Sequence, residues 1–192
     1  MLTKGDCTRE QIKKVAKQLF AQKGYCLVTM QDMCEATHMS RGGLYRHFGS
    51  TKEIFIELLI DDRDSSSEEL SEALSKNIDA VLLFDGFLEK QREAFLAKDN
   101  GFYYAIHEFS FTEPDQNVFL QERFKAGAEM LSSLLTYGYE QGVFSVQDSE
   151  TLAIHLLYFF DNVIATAPVL GFLKTQFEDQ LKLVRNMVVK HG

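Results

Sequence analysis

Residues 29–48 read Thr29-Met30-Gln31-Asp32-Met33-Cys34-Glu35-Ala36-Thr37-His38-Met39-Ser40-Arg41-Gly42-Gly43-Leu44-Tyr45-Arg46-His47-Phe48: two short helical patterns parted by a turn, then an aromatic, basic segment. Thr29 offers a helix N-cap, and Met30, Met33 and Cys34 fall on the i, i+3, i+4 stripe of a helix with one buried face. The stripe stops at Ala36-Thr37-His38-Met39. Ser40 is a second N-cap; it places Arg41, Gly42 and Gly43 on the first turn of the next helix and directs Leu44 and Phe48 inward. The pattern is that of a helix-turn-helix able to read DNA.

Helices below about a dozen residues need tertiary packing. Ile12, Val15, Ala16, Leu19 and Phe20 of a preceding amphipathic helix supply the other half of the core, which predicts a three-helix head. Thr8 and Gln11 form a capping-box pattern for that first helix, which should run to about Lys23 and end at Gly24. Lys13, Lys14 and Lys17 occupy its polar side, for solubility or for phosphate contact. Ser50 and Glu53 suggest a further capping box, opening a linking helix that buries Ile54, Phe55, Leu58 and Leu59 against the head. Residues 61–69 are polar on nearly every side, which marks a domain boundary: a head over 1–60 and a body over 61–192.

Residues 8–60 resemble the DNA-binding head of the TetR/AcrR family of one-component transcriptional regulators. The resemblance rests on Phe20 to Gly24 closing the first helix, Thr29 opening the second, and the segment Ser40 to Phe48, which is similar to the family's Ser-Lys-Gly-Thr-Leu-Tyr-x-His/Tyr-Phe. It implies a DNA-binding set of Thr29, Ser40, Arg41, Gly42, Gly43, Tyr45, Arg46, His47 and Lys52. This chain departs from the family pattern in three places. His38 stands in the turn where Gly is usual, at a position expected to need positive φ, which His tolerates better than most residues. Gly43 replaces Thr or Ala and leaves Arg41 as the better base reader. Thr51 takes the place of the family's phosphate-contacting Lys, with Lys52 one position later.

The net charge of −8 divides unevenly: +3 over residues 1–60 and −11 over residues 61–192. That split favours DNA contact through the head alone, with the acidic body held clear of the phosphates; a merely solvated basic face is the alternative. The N-terminal residues 1–6 lack an apolar signal core, and no run of about 18 uninterrupted apolar residues predicts a membrane span, so a cytoplasmic protein is expected. Cys7, Cys26 and Cys34 are odd in number and lack metal-ligand spacing, so reduced thiols without a disulfide framework or metal site are expected. Cys34 belongs on a buried helix face; Cys26 lies near a turn, where a structural thiol is expected and redox sensing is the lesser alternative.

Thirteen of the sixteen phenylalanines lie at or beyond Phe84, which predicts an aromatic-rich helical bundle. Its helices are read as residues 79–97, stopped by Asp99-Asn100-Gly101; 102–111, followed by Pro114; 116–140, stopped by Gly142; 149–166, followed by Pro168; and 172–190. The fold class is therefore all-α: a three-helix head, a linking helix and a C-terminal helical bundle. The run from Leu152 to Ala167 is apolar almost all round, and the last helix adds a second stripe. Leu152, Leu156, Phe159, Phe160 and Val163 with Phe177, Leu181, Val184 and Val188 are the expected homodimer interface, a four-helix contact that is also the family's usual one. The alternative is that one of these helices is central in its own domain.

Bulky aromatics with a few polar tips are common pocket walls. Phe84, Phe87, Tyr103, Tyr104 and Phe111 are candidates for a small-molecule effector pocket, with Phe124, Tyr158, Asn162 and His107. Asp161, in the apolar run, faces the dimer axis, the pocket or water. No nucleophile elbow, phosphate loop, catalytic triad or metal-ligand spacing is visible, so neither an enzyme nor a cofactor is expected. The expected function is a dimeric regulator on an inverted-repeat operator, its heads about 34 to 36 Å apart in successive major grooves, probed at guanine by Arg41 and released by an effector of unknown identity. A constitutive DNA binder or a protein-interaction adaptor is the alternative.

Overall fold

A computed structural model of the chain describes residues 4–97 and 101–190; among these there are nine α-helices. The head comprises α1 (Lys4–Lys23), α2 (Met30–Thr37) and α3 (Arg41–Tyr45), and α4 (Thr51–Ser75) links it to the body. Helix α1 begins ahead of the expected capping box. Thr8 therefore lies within the helix, and the first turn carries Asp6, whose negative charge suits the positive end of the helix dipole. Gly24 at φ 80° closes it as expected. Lys13 corrects the reading of α1's polar side: it is 7% exposed and forms ion pairs with Asp61 of α4 and with Glu10.

The head core contains Ile12, Ala16 and Phe20 from α1, Met33 from α2, Leu44 from α3 and Ile54, Phe55, Leu58 and Leu59 from α4. The same cluster includes Phe102, Ala105 and Phe109 from α6 (Gly101–Thr112). Phe55 sits at its centre, with ring centroids of Phe20 and Phe109 each at 4.8 Å and Tyr25 at 5.0 Å. The packing unit thus crosses the polar tract at 61–69: α6, beyond it in sequence, buries its apolar face against the head. Gly101 permits this, since a Cβ there would stand 2.1 Å from the carbonyl oxygen of Ala21.

Helix α4 runs unbroken through the polar tract, yet its fully buried residues end at Leu59. The body adds α5 (Ala80–Leu96), α7 (Asn117–Glu140), α8 (Ser149–Leu170) and α9 (Lys174–Val188), with a 3₁₀ turn over Pro114–Gln116 before α7. The expected stop at Asp99-Asn100 lies outside the described residues. Helix α8 does not end before Pro168; the proline removes one hydrogen bond in the last turns, and the helix closes at Gly171 with φ 70°. After α9, Lys190 N–H donates to the Val143 carbonyl, and Ser145 N–H to that of Val188, each at 2.9 Å.

The body core is built on fully buried Phe84, Phe144, Phe160 and Phe177, the last stacked on Phe95 at 4.1 Å. This narrows the expected dimer interface. Leu156, Phe160, Phe177, Leu181, Val184 and Val188 all lie in this subunit's own core, and Leu152, Phe159 and Val163 are partly buried against it. An all-round apolar helix is here a central one. Helix α8 is long and apolar enough to cross a membrane by length and composition, and a third of its apolar window, 33%, is buried inside this subunit.

Candidate nucleic-acid interface

The turn and the start of α3 are held by side chains close in sequence. Thr29 Oγ1 accepts from Asp32 N–H at 3.2 Å, and Asp32 Oδ2 accepts from Thr29 N–H at 2.8 Å, so both arms of a capping box are present. Lys23 at 2.5 Å and Thr29 hold the Asp32 carboxyl well below the usual carboxylate range. His38 adopts the left-handed conformation, φ 55°, as its place in the turn requires, and the next amide, Met39 N–H, donates to the Cys34 carbonyl at 3.0 Å. Ser40 Oγ then accepts from Gly43 N–H at 3.2 Å and caps α3.

With Leu44 and Phe48 buried, Arg41, Gly42, Tyr45 and Arg46 are exposed on the far side, and Gly43 and His47 are partly so. The two arginines present their guanidinium groups on a helix only five residues long, anchored at both ends. Tyr45 is 52% exposed, which places it at the surface rather than in the core. Such an array of exposed Arg, Tyr and capped helix start suits phosphate oxygens and base edges together.

Lys52 is engaged within the subunit. Its ammonium lies 2.6 Å from Asp115 and 2.9 Å from Glu113, at the body's 3₁₀ turn, and the two carboxylates raise its pKa. The ion pair joins head and body, and Lys52 is one residue further round α4 than the Thr51 position.

Other positioning residues escaped the sequence reading. Arg9 donates to Glu57 of α4 at 2.6 Å, donates to the carbonyl of His47, and lies 3.9 Å over the Phe48 ring, so it ties the end of α3 to both α1 and α4. Glu108 of α6 accepts from Tyr25 N–H at 2.6 Å, and a Cβ on Gly24 would fall 2.3 Å from the same oxygen. Tyr25 donates its hydroxyl to Glu113 at 2.7 Å; burial first, then that carboxylate, pushes its pKa up. The partners are separated by 38 to 88 positions, so no local motif announces them.

The body's expected pocket residues lie in differing surroundings. Phe84 and Phe87 pack in the body core, and Tyr103 packs against it. Phe111 is 85% exposed, and Tyr104 is also exposed. Phe124 and Tyr158 stack at 4.6 Å, while Asn162 donates to the Tyr158 carbonyl at 2.7 Å. His107 is partly buried on α6 and lies in the field of Asp161. Two open clefts mark the body surface: one of about 250 Å³ between α5 and α9, and one of about 450 Å³ between α7 and α8. Cys7 and Cys26 are exposed and Cys34 is partly buried.

Residues 12–58 match the family model for the bacterial regulatory proteins of the tetR family, and residues 84–178 match that of the tetracyclin repressor-like C-terminal domain. The chain is 28% identical over 166 residues to YfiR of Bacillus subtilis, described as an uncharacterized HTH-type transcriptional regulator; the match covers 84% of this chain and 80% of YfiR. It is 35% identical over 65 residues to the transcriptional repressor AcnR of Corynebacterium glutamicum, 34% of this chain and 35% of that one. A TetR-family regulator from Agrobacterium tumefaciens shares the fold with a TM-score of 0.81 at 13% identity, over 97% of this chain and all of that one. Two matching domains in the family's order, joined to a capped and exposed recognition helix, establish that the chain belongs to the TetR family and is a DNA-binding transcriptional regulator, not an enzyme.

Proposed function

We propose that the protein is a homodimeric repressor that reads an inverted-repeat operator through Arg41 and leaves it when a small molecule binds the body. The observation that carries this reading is the shared core of the head and α6: because Phe55 packs on Phe102 and Phe109, a displacement of α6 carries the reading helix with it. Arg41 is the base reader, and Ser40, Tyr45, Arg46 and the amides of Gly42 and Gly43 meet phosphates. Thr29 contributes chiefly as a cap, with its hydroxyl already engaged by Asp32.

The dimer face is the outward side of α8 and α9 rather than the buried stripe. Val169 and Leu170 are 78% and 77% exposed, Leu173 60%, and Leu183 and Met187 lie four residues apart on one face of α9. Phe159 and Val163, partly buried, border that face. Covering these residues with a second copy gives a symmetric contact.

A second reading, a constitutive DNA binder without effector, is favoured by the filled aromatic interior of the body, where Phe84, Phe144, Phe160 and Phe177 interlock. Fluorescence anisotropy with DNA from upstream of the chain's own gene, run against random duplex across a salt series, tests the common part. Tight, salt-sensitive binding at one site is expected. Equal affinity for random DNA defeats sequence-specific regulation, and binding by a monomer defeats the two-head operator.

A further inference from the structure

A helix as short as α3 does not hold its own direction. At ~1.5 Å per residue its five residues span only about 7 Å, and among them Leu44 alone is buried. Its start is fixed by the Ser40 cap. Its end is fixed by two helices at once. Phe48 N–H turns back onto the Leu44 carbonyl at 3.0 Å, Glu53 of α4 accepts from Gly49 N–H at 2.7 Å, and Arg9 of α1 donates to the carbonyl of His47. The segment between α3 and α4 is thus gripped by a carboxylate on one peptide group and a guanidinium on another.

Every nitrogen of Arg9 is used inward. Nε donates to Glu57 Oε2 at 3.0 Å and Nη2 to Oε1 at 2.6 Å, a two-pronged pair, while Nη1 takes the His47 carbonyl. Glu53 Oε1 stands 3.6 Å from Nη2. The flat face of the group lies 3.9 Å over the ring of Phe48, which is 1% exposed. Fork and face together need a planar guanidinium; an ammonium carries the same charge but supplies neither.

We propose that Arg9 is the positioning residue of DNA reading: through the His47 carbonyl and the Phe48 ring it sets the direction of α3, and so governs discrimination between sequences without itself touching DNA. This rests on the proposed reading by α3 and adds the side chain that aims it. A bidentate contact to a base tolerates an error of only about 10 to 20° in the direction of its donor, whereas the sequence-independent attraction to phosphates follows charge. Loosening the end of α3 therefore costs specificity before it costs general affinity.

Arg9→Lys in the full-length protein keeps the charge and removes the fork. In hydrogen exchange without DNA, the amides of residues 45–49 are expected to exchange about tenfold faster, with those of α2 unchanged. Unchanged protection at 45–49, or faster exchange throughout the head, overturns the inference. In anisotropy titrations the preference for operator over random duplex is expected to fall about tenfold at an unchanged salt slope. An unchanged preference, equal weakening on both duplexes, or a slope flatter by about one counterion, which would put Arg9 on a phosphate, overturns it as well. If Arg9→Lys does not fold, Glu57→Gln, which weakens the hold on Arg9 while keeping its shape, is expected to shift both readouts in the same direction by a smaller factor. A parent protein that does not tell operator from random duplex defeats the regulator reading, and exchange at 45–49 still decides whether Arg9 holds α3.

Discussion

The head and the α7–α8 side of the body treat their polar groups in opposite ways. Around the reading helix every side chain that fixes geometry is answered: Thr29 by Asp32, Ser40 by Gly43 N–H, Arg9 by Glu57, Tyr25 by Glu113. Where α7 meets α8, Arg123 Nε is buried without a hydrogen-bond partner, and the half-buried Asp161 forms no ion pair among the described residues. A surface that must fit a rigid duplex gains by being set in advance, since side chains already ordered lose less freedom on binding.

The comparison breaks most visibly at Phe55. Truncation to Ala empties the point where α1, α4 and α6 meet, and a loss of about 3 to 5 kcal/mol of stability in urea unfolding is expected. Unchanged stability would mean that α6 is not held in the head core and that head and body are coupled by polar contacts alone.

Arg41→Ala sharpens it on the DNA side. Discrimination between operator and a single-base variant should fall by about 1 to 3 kcal/mol at unchanged melting temperature. Arg46→Ala should instead weaken all sequences alike and flatten the salt dependence by about one counterion. Anisotropy titrations over a salt series separate the two; identical behaviour of both variants would show that neither reads a base.

Glu108→Gln and Lys52→Ala probe the polar join between head and body. Glu108→Gln keeps the shape but weakens the charge-assisted bond to Tyr25 N–H, for which about 1 kcal/mol is expected. Lys52→Ala removes a more exposed pair and should cost less, with an effect that shrinks as salt rises. Because Lys52 holds the Glu113 carboxyl below its usual range, with Tyr25 assisting, the contribution of that carboxyl is present at neutral pH and lost as pH falls through the lowered value. Loss of DNA affinity in Lys52→Ala at constant head stability would instead place that lysine on a phosphate.

How much of this was legible in the sequence follows the range of the interactions. Caps at Thr29, Ser40 and Ser50 and the left-handed turn at His38 depend on neighbours three or four residues away, so they could be read directly. Burial on α8 and α9 could not: periodicity shows that Leu156, Phe160 and Val184 seek cover without saying whether the same chain or another supplies it, and here it is the same chain. Arg9, Glu108 and Glu113 act across gaps of 38 residues or more, beyond any local pattern. Asp161 was conspicuous as a carboxylate in an apolar run, but its neighbours Arg123, His107 and Asp62 come from three other helices and needed the fold.

Asp161 also provides the finest test of the contrast. Burial pushes its carboxyl up, against the opposing pull of Arg123 and His107, and Asp62 adds to the rise. The fold therefore favours the protonated form more than the unfolded chain does. The stability this preference contributes is complete below the ordinary carboxylate range and is lost as pH rises through the elevated folded value, where the side chain must ionise without a partner. Asn carries no charge to bury, so Asp161→Asn should be more stable than the parent at neutral pH by about 1 kcal/mol, with the difference shrinking as pH falls. Urea unfolding of both proteins at several pH values measures it, and carboxylates such as Asp32 and Glu113, whose shifts run the other way, cancel in the difference. A variant less stable than its parent at neutral pH would mean that Asp161 is paired with Arg123 in solution, and the body would then have its polar groups answered just as the head does.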